Sequence, residues 1–140
     1  MKIIVILIFS LISSSLTAQQ LFLQVHGIRS SKGVLRIGVF QNQKQFDQEK
    51  PYRSFVFAKG DVVAGFLLAK IPVVQGNYAI TVLDDEDNSG NMTYKFKIFP
   101  TEGVGFSNYR LNKPLKPKFS DFDFIFDKNN ADILIKLQYF

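Results

Sequence analysis

Residues 71–91 read IPVVQGNYAITVLDDEDNSGN. Val74-Gln75-Gly76-Asn77 is a turn signal, after which Tyr78, Ile80 and Val82 alternate with Ala79 and Thr81. Four consecutive acids, Asp84 to Asp87, and then Asn88-Ser89-Gly90 close the stretch. A period of two between turn residues predicts a β-strand with Tyr78, Ile80 and Val82 inward, leading into an acidic loop.

The same period recurs on both sides of this strand. Leu21, Leu23 and Val25 share one face, with Phe22, Gln24 and His26 opposite. After the turn Arg29-Ser30-Ser31-Lys32-Gly33, Leu35, Ile37 and Val39 repeat the pattern. Phe55 with Phe57, Phe66 to Ile71, Tyr94-Phe96-Ile98, Phe122-Phe124-Phe126 and Ile133-Ile135-Leu137-Tyr139 supply further strand windows. Only Gln41 to Lys50 suits a helix, stopped by Pro51. The pattern predicts an all-β, antiparallel sandwich of about seven to eight strands with one buried face per sheet. One short helical turn is expected to cap an end of it.

Residues 1–18 stand apart. Lys2 precedes the apolar run Ile3 to Ile12, and Ser13, Ser14, Ser15, Leu16, Thr17 and Ala18 follow. This is the layout of a secretory signal peptide, since the run is shorter than the roughly 20 apolar residues that span a bilayer. The expected organisation is residues 1–18 as signal peptide and 19–140 as one sandwich domain, exported to the periplasm or beyond. Removing 18 of the 140 residues leaves 122, and loss of Lys2 lowers the formal charge from +5 to +4.

With 46% hydrophobic and 21% charged residues the chain is too apolar for disorder. It has no Cys, no Trp and one His. Thiol catalysis, disulfides and Cys or multi-His zinc sites are therefore excluded. No Ser stands in a nucleophile-elbow context for His26 to serve. The basic stretch Arg110 to Lys118 (RLNKPLKPK) reads as an extended linker kept open by Pro114 and Pro117. It offers no aromatic platform for nucleic acid.

Two stretches carry a family likeness: IPVVQGNYAITVLDDEDNSGN and PTEGVGFSN, residues 100–108. With the opening strand pair and KPKFSDFDFIF they resemble the secreted bacterial domain-of-unknown-function family 2141 (DUF2141), from about Leu21 to Tyr139. The resemblance implies a prealbumin- or immunoglobulin-like sandwich exported from a bacterial cell, with no activity attached. The chain departs from the family pattern after Gly90, where Met92, Thr93 and Tyr94 stand in place of a Leu-Asp pair. An acidic oxygen is thereby missing.

The acidic loop has two readings. Asp85, Asp87 and Ser89 occupy first, third and fifth positions, with Gly90 sixth, as in the front half of a calcium loop; Asn91 offers a carbonyl and Thr93 a ninth-position oxygen. The twelfth position is Phe96, so the loop supplies too few oxygens alone and requires a distant donor. The other reading is a solvated β-turn. Glu102, Ser107 and Asn108 are the candidate ligand-binding residues of the second stretch, the alternative being an Ω-like loop whose polar groups serve its own backbone. If Met92–Phe99 is one straight strand, the two loops fall at opposite ends; Glu102 reaches Asp85 or Asp87 only if the chain folds back.

The expectation is a non-enzymatic exported module, binding an envelope protein, a glycan or a cation through its end loops. It needs no cofactor, and the cation considered for its loop oxygens is calcium. The alternative is a small glycan hydrolase using Asp84 or Asp85 with Glu102.

Overall fold

The computed structural model describes residues 18–89 and 102–140. The signal-peptide reading of residues 1–17 and the strand window Tyr94-Phe96-Ile98 lie outside the described residues. In chain order the strands are β1 (Gln19–His26), β2 (Val34–Phe40), β3 (Arg53–Ala58), β4 (Leu67–Val73), β5 (Gly76–Asp85), β6 (Gly103–Phe106), β7 (Asp123–Phe126) and β8 (Asp132–Lys136). Helix α1 (Gln43–Asp47) follows β2, a 3-10 turn (Lys59–Asp61) follows β3, and α2 (Phe119–Phe122) precedes β7.

Two sheets pack face to face, one ordered β4-β1-β8 and the other β3-β2-β5-β6. β7 pairs with the first half of β5, from Gly76 to Ala79, while β6 pairs with Thr81 to Asp84. One edge of β5 thus serves two partners in succession. The period-two residues meet between the sheets: Leu21, Leu23 and Val25 from β1, Leu35, Ile37 and Val39 from β2, and Tyr78, Ile80 and Val82 from β5 are all buried there. Each aliphatic chain so buried contributes about 1.5–3 kcal/mol relative to exposure, and this core holds the two sheets together.

The sandwich is antiparallel except for β1 and β8, which run parallel with Phe22 opposite Asp132. The whole domain acts as the crossover between them. Past Lys136 the chain crosses to the other sheet, where Val104 and Gln138 exchange backbone hydrogen bonds of 2.9 and 2.8 Å. A Cβ on Gly103 would stand 2.5 Å from the Tyr139 ring, and one on Gly105 would stand 2.6 Å from Ile135. Glycine at both places lets the C-terminal segment lie directly on β6. PTEGVGFSN is therefore a strand at its centre and not an Ω-like loop.

A second correction concerns burial. The larger sheet is buried on both faces, because Phe40, Phe46, Phe106, Phe119 and Phe122 form a second core on its outer side. Four of these rings meet edge to face, with centroids 5.3 Å apart for Phe40–Phe46, 5.2 Å for Phe46–Phe122 and 5.1 Å for Phe106–Phe122. Helix α1 falls inside the expected window Gln41 to Lys50, and its Asn42 cap accepts from Gln45 N–H at 2.9 Å. It covers the sheet's face, held there by Phe46, rather than capping an end. Lys116 donates to the Phe46 carbonyl at 3.2 Å, so the basic stretch is docked at this point. Phe122 belongs to α2 and the second core, whereas Phe124 and Phe126 face the first.

Thr81, on the outer face of β5, is 2% exposed, and among the described residues its hydroxyl has no hydrogen-bond partner. A buried polar group left unmet costs about 1–3 kcal/mol. Thr81→Val should therefore stabilise the fold by about 1 kcal/mol in urea unfolding. A loss instead of a gain would mean that the hydroxyl is satisfied.

Candidate cation site

β2 and β5 are registered with Val34 opposite Asp85, which places the β1–β2 loop beside the end of β5. β6 enters antiparallel to β5 with Gly103 opposite Asp84, so Glu102 stands across from Asp85. The chain does return. Alternation sends Asp84 to the inner face and Asp85 to the outer face, along with Glu102.

The four acids are not a solvated turn as a group, for Asp84 and Asp85 are 0% and 1% exposed. The concentration of charge is answered first by the chain itself. Lys59 pairs with Asp84 inside the sandwich, and the Tyr139 hydroxyl donates to Asp84 Oδ2 at 2.6 Å. Burial first, and then this hydrogen bond, hold the Tyr139 phenol far above its ordinary range. Arg36 Nε meets Asp85 Oδ2 at 2.6 Å. Arg29 makes a two-pronged contact with Glu86, at 2.6 and 3.2 Å. None of these three cations was singled out from the sequence. Arg36 sits at an alternating polar position of β2, Lys59 in a turn without a motif, and their partners lie far along the chain.

Asp87 and Glu102 have no ion pair with a described cation. One carboxylate oxygen each from Asp85, Asp87 and Glu102 lies within 4.8 Å of the others. The Glu102 carboxyl is pushed up to about 7, by burial first and then by the charges of Asp85 and Asp87 and a hydrogen bond with Asp87. Burial would also raise Asp85, but the Arg36 guanidinium, a hydrogen bond with Asp87 and the Ser89 N–H outweigh it and hold Asp85 below the usual carboxylate range. Ser89 N–H bridges Asp85 Oδ1 and Asp87 Oδ1 at 3.1 and 3.0 Å, and Ser89 Oγ is 3.4 Å from Asp85 Oδ1. Ser89 thus shapes the loop around the carboxylates; Asn91 lies outside the described residues. Three converging hard oxygens with surplus negative charge suit a divalent cation of the calcium kind.

A family model described as uncharacterized protein conserved in bacteria matches residues 23–134. The chain belongs to DUF2141. No curated protein and no solved structure gives a match. Within this DUF2141 chain the remaining candidates of the second stretch go to the fold. Ser107 is fully buried; its hydroxyl donates to Phe122 O at 2.6 Å and accepts from Ile80 N–H at 3.0 Å. Asn108 Oδ1 accepts from Leu134 N–H at 3.1 Å. Neither stands with Glu102, because β6 lies between them: Glu102 precedes its first residue, and Ser107 and Asn108 follow its last. His26 is the last residue of β1, its ring tilted against Phe66 at 4.8 Å.

Proposed function

We propose that this chain is an exported, non-enzymatic β-sandwich module that holds a divalent cation, calcium first, between Asp85, Asp87 and Glu102, and engages an envelope protein or glycan through the same end. The observation that carries this reading is the convergence of three carboxylates within 4.8 Å, with Asp87 and Glu102 lacking a described cation. A proton on Glu102 relieves that crowding in the free protein; a cation relieves it better. Burial of Asp85 counts against the hydrolase alternative. Its two oxygens are engaged by Arg36 and Ser89, and a nucleophile or base must face a sugar-sized cleft. Export rests on the layout of residues 1–18. Among the described residues no helix is long and apolar enough to cross a membrane.

Thermal and urea unfolding with calcium, magnesium or chelator test the reading. Calcium held at about 100 times its dissociation constant should add about 2.7 kcal/mol. Glu102→Gln should abolish most of that gain. The sign of the pH effect is fixed by the raised Glu102 value. In chelator its favourable contribution is complete below its unfolded value and is lost as pH rises through about 7. The free protein should therefore weaken over that window, and calcium should bind more tightly across it. Glu102→Gln should flatten both trends and, in chelator at pH 8, stabilise the protein by about 1 kcal/mol after allowance for solvent screening. No calcium shift in the wild type would remove the cation, and an equal shift in the variant would remove Glu102 from its ligands.

A further inference from the structure

Lys59 and Asp84 have no exposed side-chain surface, 0% for each, and the proposed cation site uses neither. Lys59 comes from the 3-10 turn after β3, and Asp84 from the inner face of β5, next along that face from Val82 in the apolar core. Lys59 Nζ lies directly against Asp84 Oδ1. Asp84 Oδ2 is fixed by the Tyr139 hydroxyl at 2.6 Å, whose oxygen in turn accepts from Arg29 N–H at 3.2 Å. An ammonium carries three N–H donors. Among the described residues Nζ makes no hydrogen bond beyond this contact, and neither does Oδ1. As an ion pair the two groups are sealed from water with most of their bonding capacity unmet, which is a costly state for charges.

We propose that Lys59 and Asp84 condense to an intramolecular amide, cross-linking the β3–β4 connection to the end of β5. A bond forms between Nζ and the Asp84 Cγ, and the bond from Cγ to Oδ1 breaks. Two of the three Nζ protons end on Oδ1, which leaves as water; the third remains as the amide N–H. One positive and one negative charge vanish together, and no oxidant, metal or second substrate is required. Tyr139 donates to Oδ2, where negative charge gathers in the tetrahedral stage, and keeps that bond to the amide carbonyl afterwards. The packed core holds amine and carboxyl in contact, so the bimolecular encounter is already made. The product replaces two buried ions by one neutral amide, which has a single donor to satisfy.

Mass spectrometry of the purified wild-type chain under denaturing conditions decides the matter. The intact mass should be lower by one water, about 18 Da, than the sequence requires. A tryptic digest should yield Lys59 and Asp84 in one joined peptide pair, with no cleavage after Lys59. Lys59→Arg should return the full mass, and Tyr139→Phe should lower the cross-linked fraction. The wild-type reading stands even if either variant folds poorly. Full mass with a free Lys59 peptide overturns the proposal, as does a water loss mapped to any other residue.

Discussion

Arg36→Met should cost about 3–5 kcal/mol at pH 7, the range for removing one partner of a buried ion pair. Arg36 is 8% exposed and Asp85 1%, and Met fills similar length without charge. The penalty comes chiefly from what is left behind: a carboxylate inside the fold without its guanidinium. Because Arg36 holds Asp85 below its ordinary value, the stabilisation is present above the unfolded value of Asp, about 3.9, and is lost as pH falls through the folded value. The gap between wild type and variant should therefore be widest near neutrality and narrow on acidification. Adding Asp85→Leu to Arg36→Met should recover much of the loss at pH 7, since no unpaired charge remains. Urea unfolding at pH 7 and pH 3 measures both effects. A gap that does not change with pH would assign Arg36 to packing alone.

This pair also marks where local sequence reading stops. The strand through Tyr78, Ile80 and Val82 was legible because alternation is a property of neighbouring residues, and so was the place of α1, which falls inside the window Gln41 to Lys50. The second core was not. Phe119 and Phe122 gain their place only when α2 folds onto a sheet whose outer face already carries Phe40 and Phe106. In PTEGVGFSN, glycines that read as loop signals are strand residues, made small by the C-terminal segment lying across them. That contact joins positions 30 or more residues apart.

The acidic stretch shows the same division at the site. Its crowded charge was readable, and the β5–β6 register brings a Glu102 oxygen within 4.8 Å of Asp85 and Asp87. What charge arithmetic cannot read is which cation answers which acid. Lys59, Arg36 and Arg29 reach Asp84, Asp85 and Glu86 from three separate elements. They answer Asp84, Asp85 Oδ2 and Glu86, and leave without a described cation Asp87, Glu102 and Asp85 Oδ1, which accepts from Ser89 N–H.

Gly33→Ala should unfold the site and weaken the whole domain. Gly33 has φ +72°, a region that costs an L-residue about 1–2 kcal/mol. Its open side faces backbone: a Cβ there would overlap the Asp85 carbonyl oxygen and stand 2.7 Å from Glu86 Cα. No rotamer change relieves an overlap with main chain, so the end of β5 must move away from β2. The combined penalty should exceed about 3 kcal/mol, in the tail of single substitutions where strain and steric overlap act together. The displaced segment, Asp85 to Ser89, carries two of the three carboxylates, so the calcium-dependent shift should vanish even in the folded fraction. Gly60→Ala is the matched control. Gly60 has no neighbour within 4 Å of a built Cβ and no positive φ, and its replacement should stay within about 0.5 kcal/mol of wild type. If Gly33→Ala matched Gly60→Ala in urea unfolding, the close approach of the β1–β2 loop to Asp85 would have no part in holding the site.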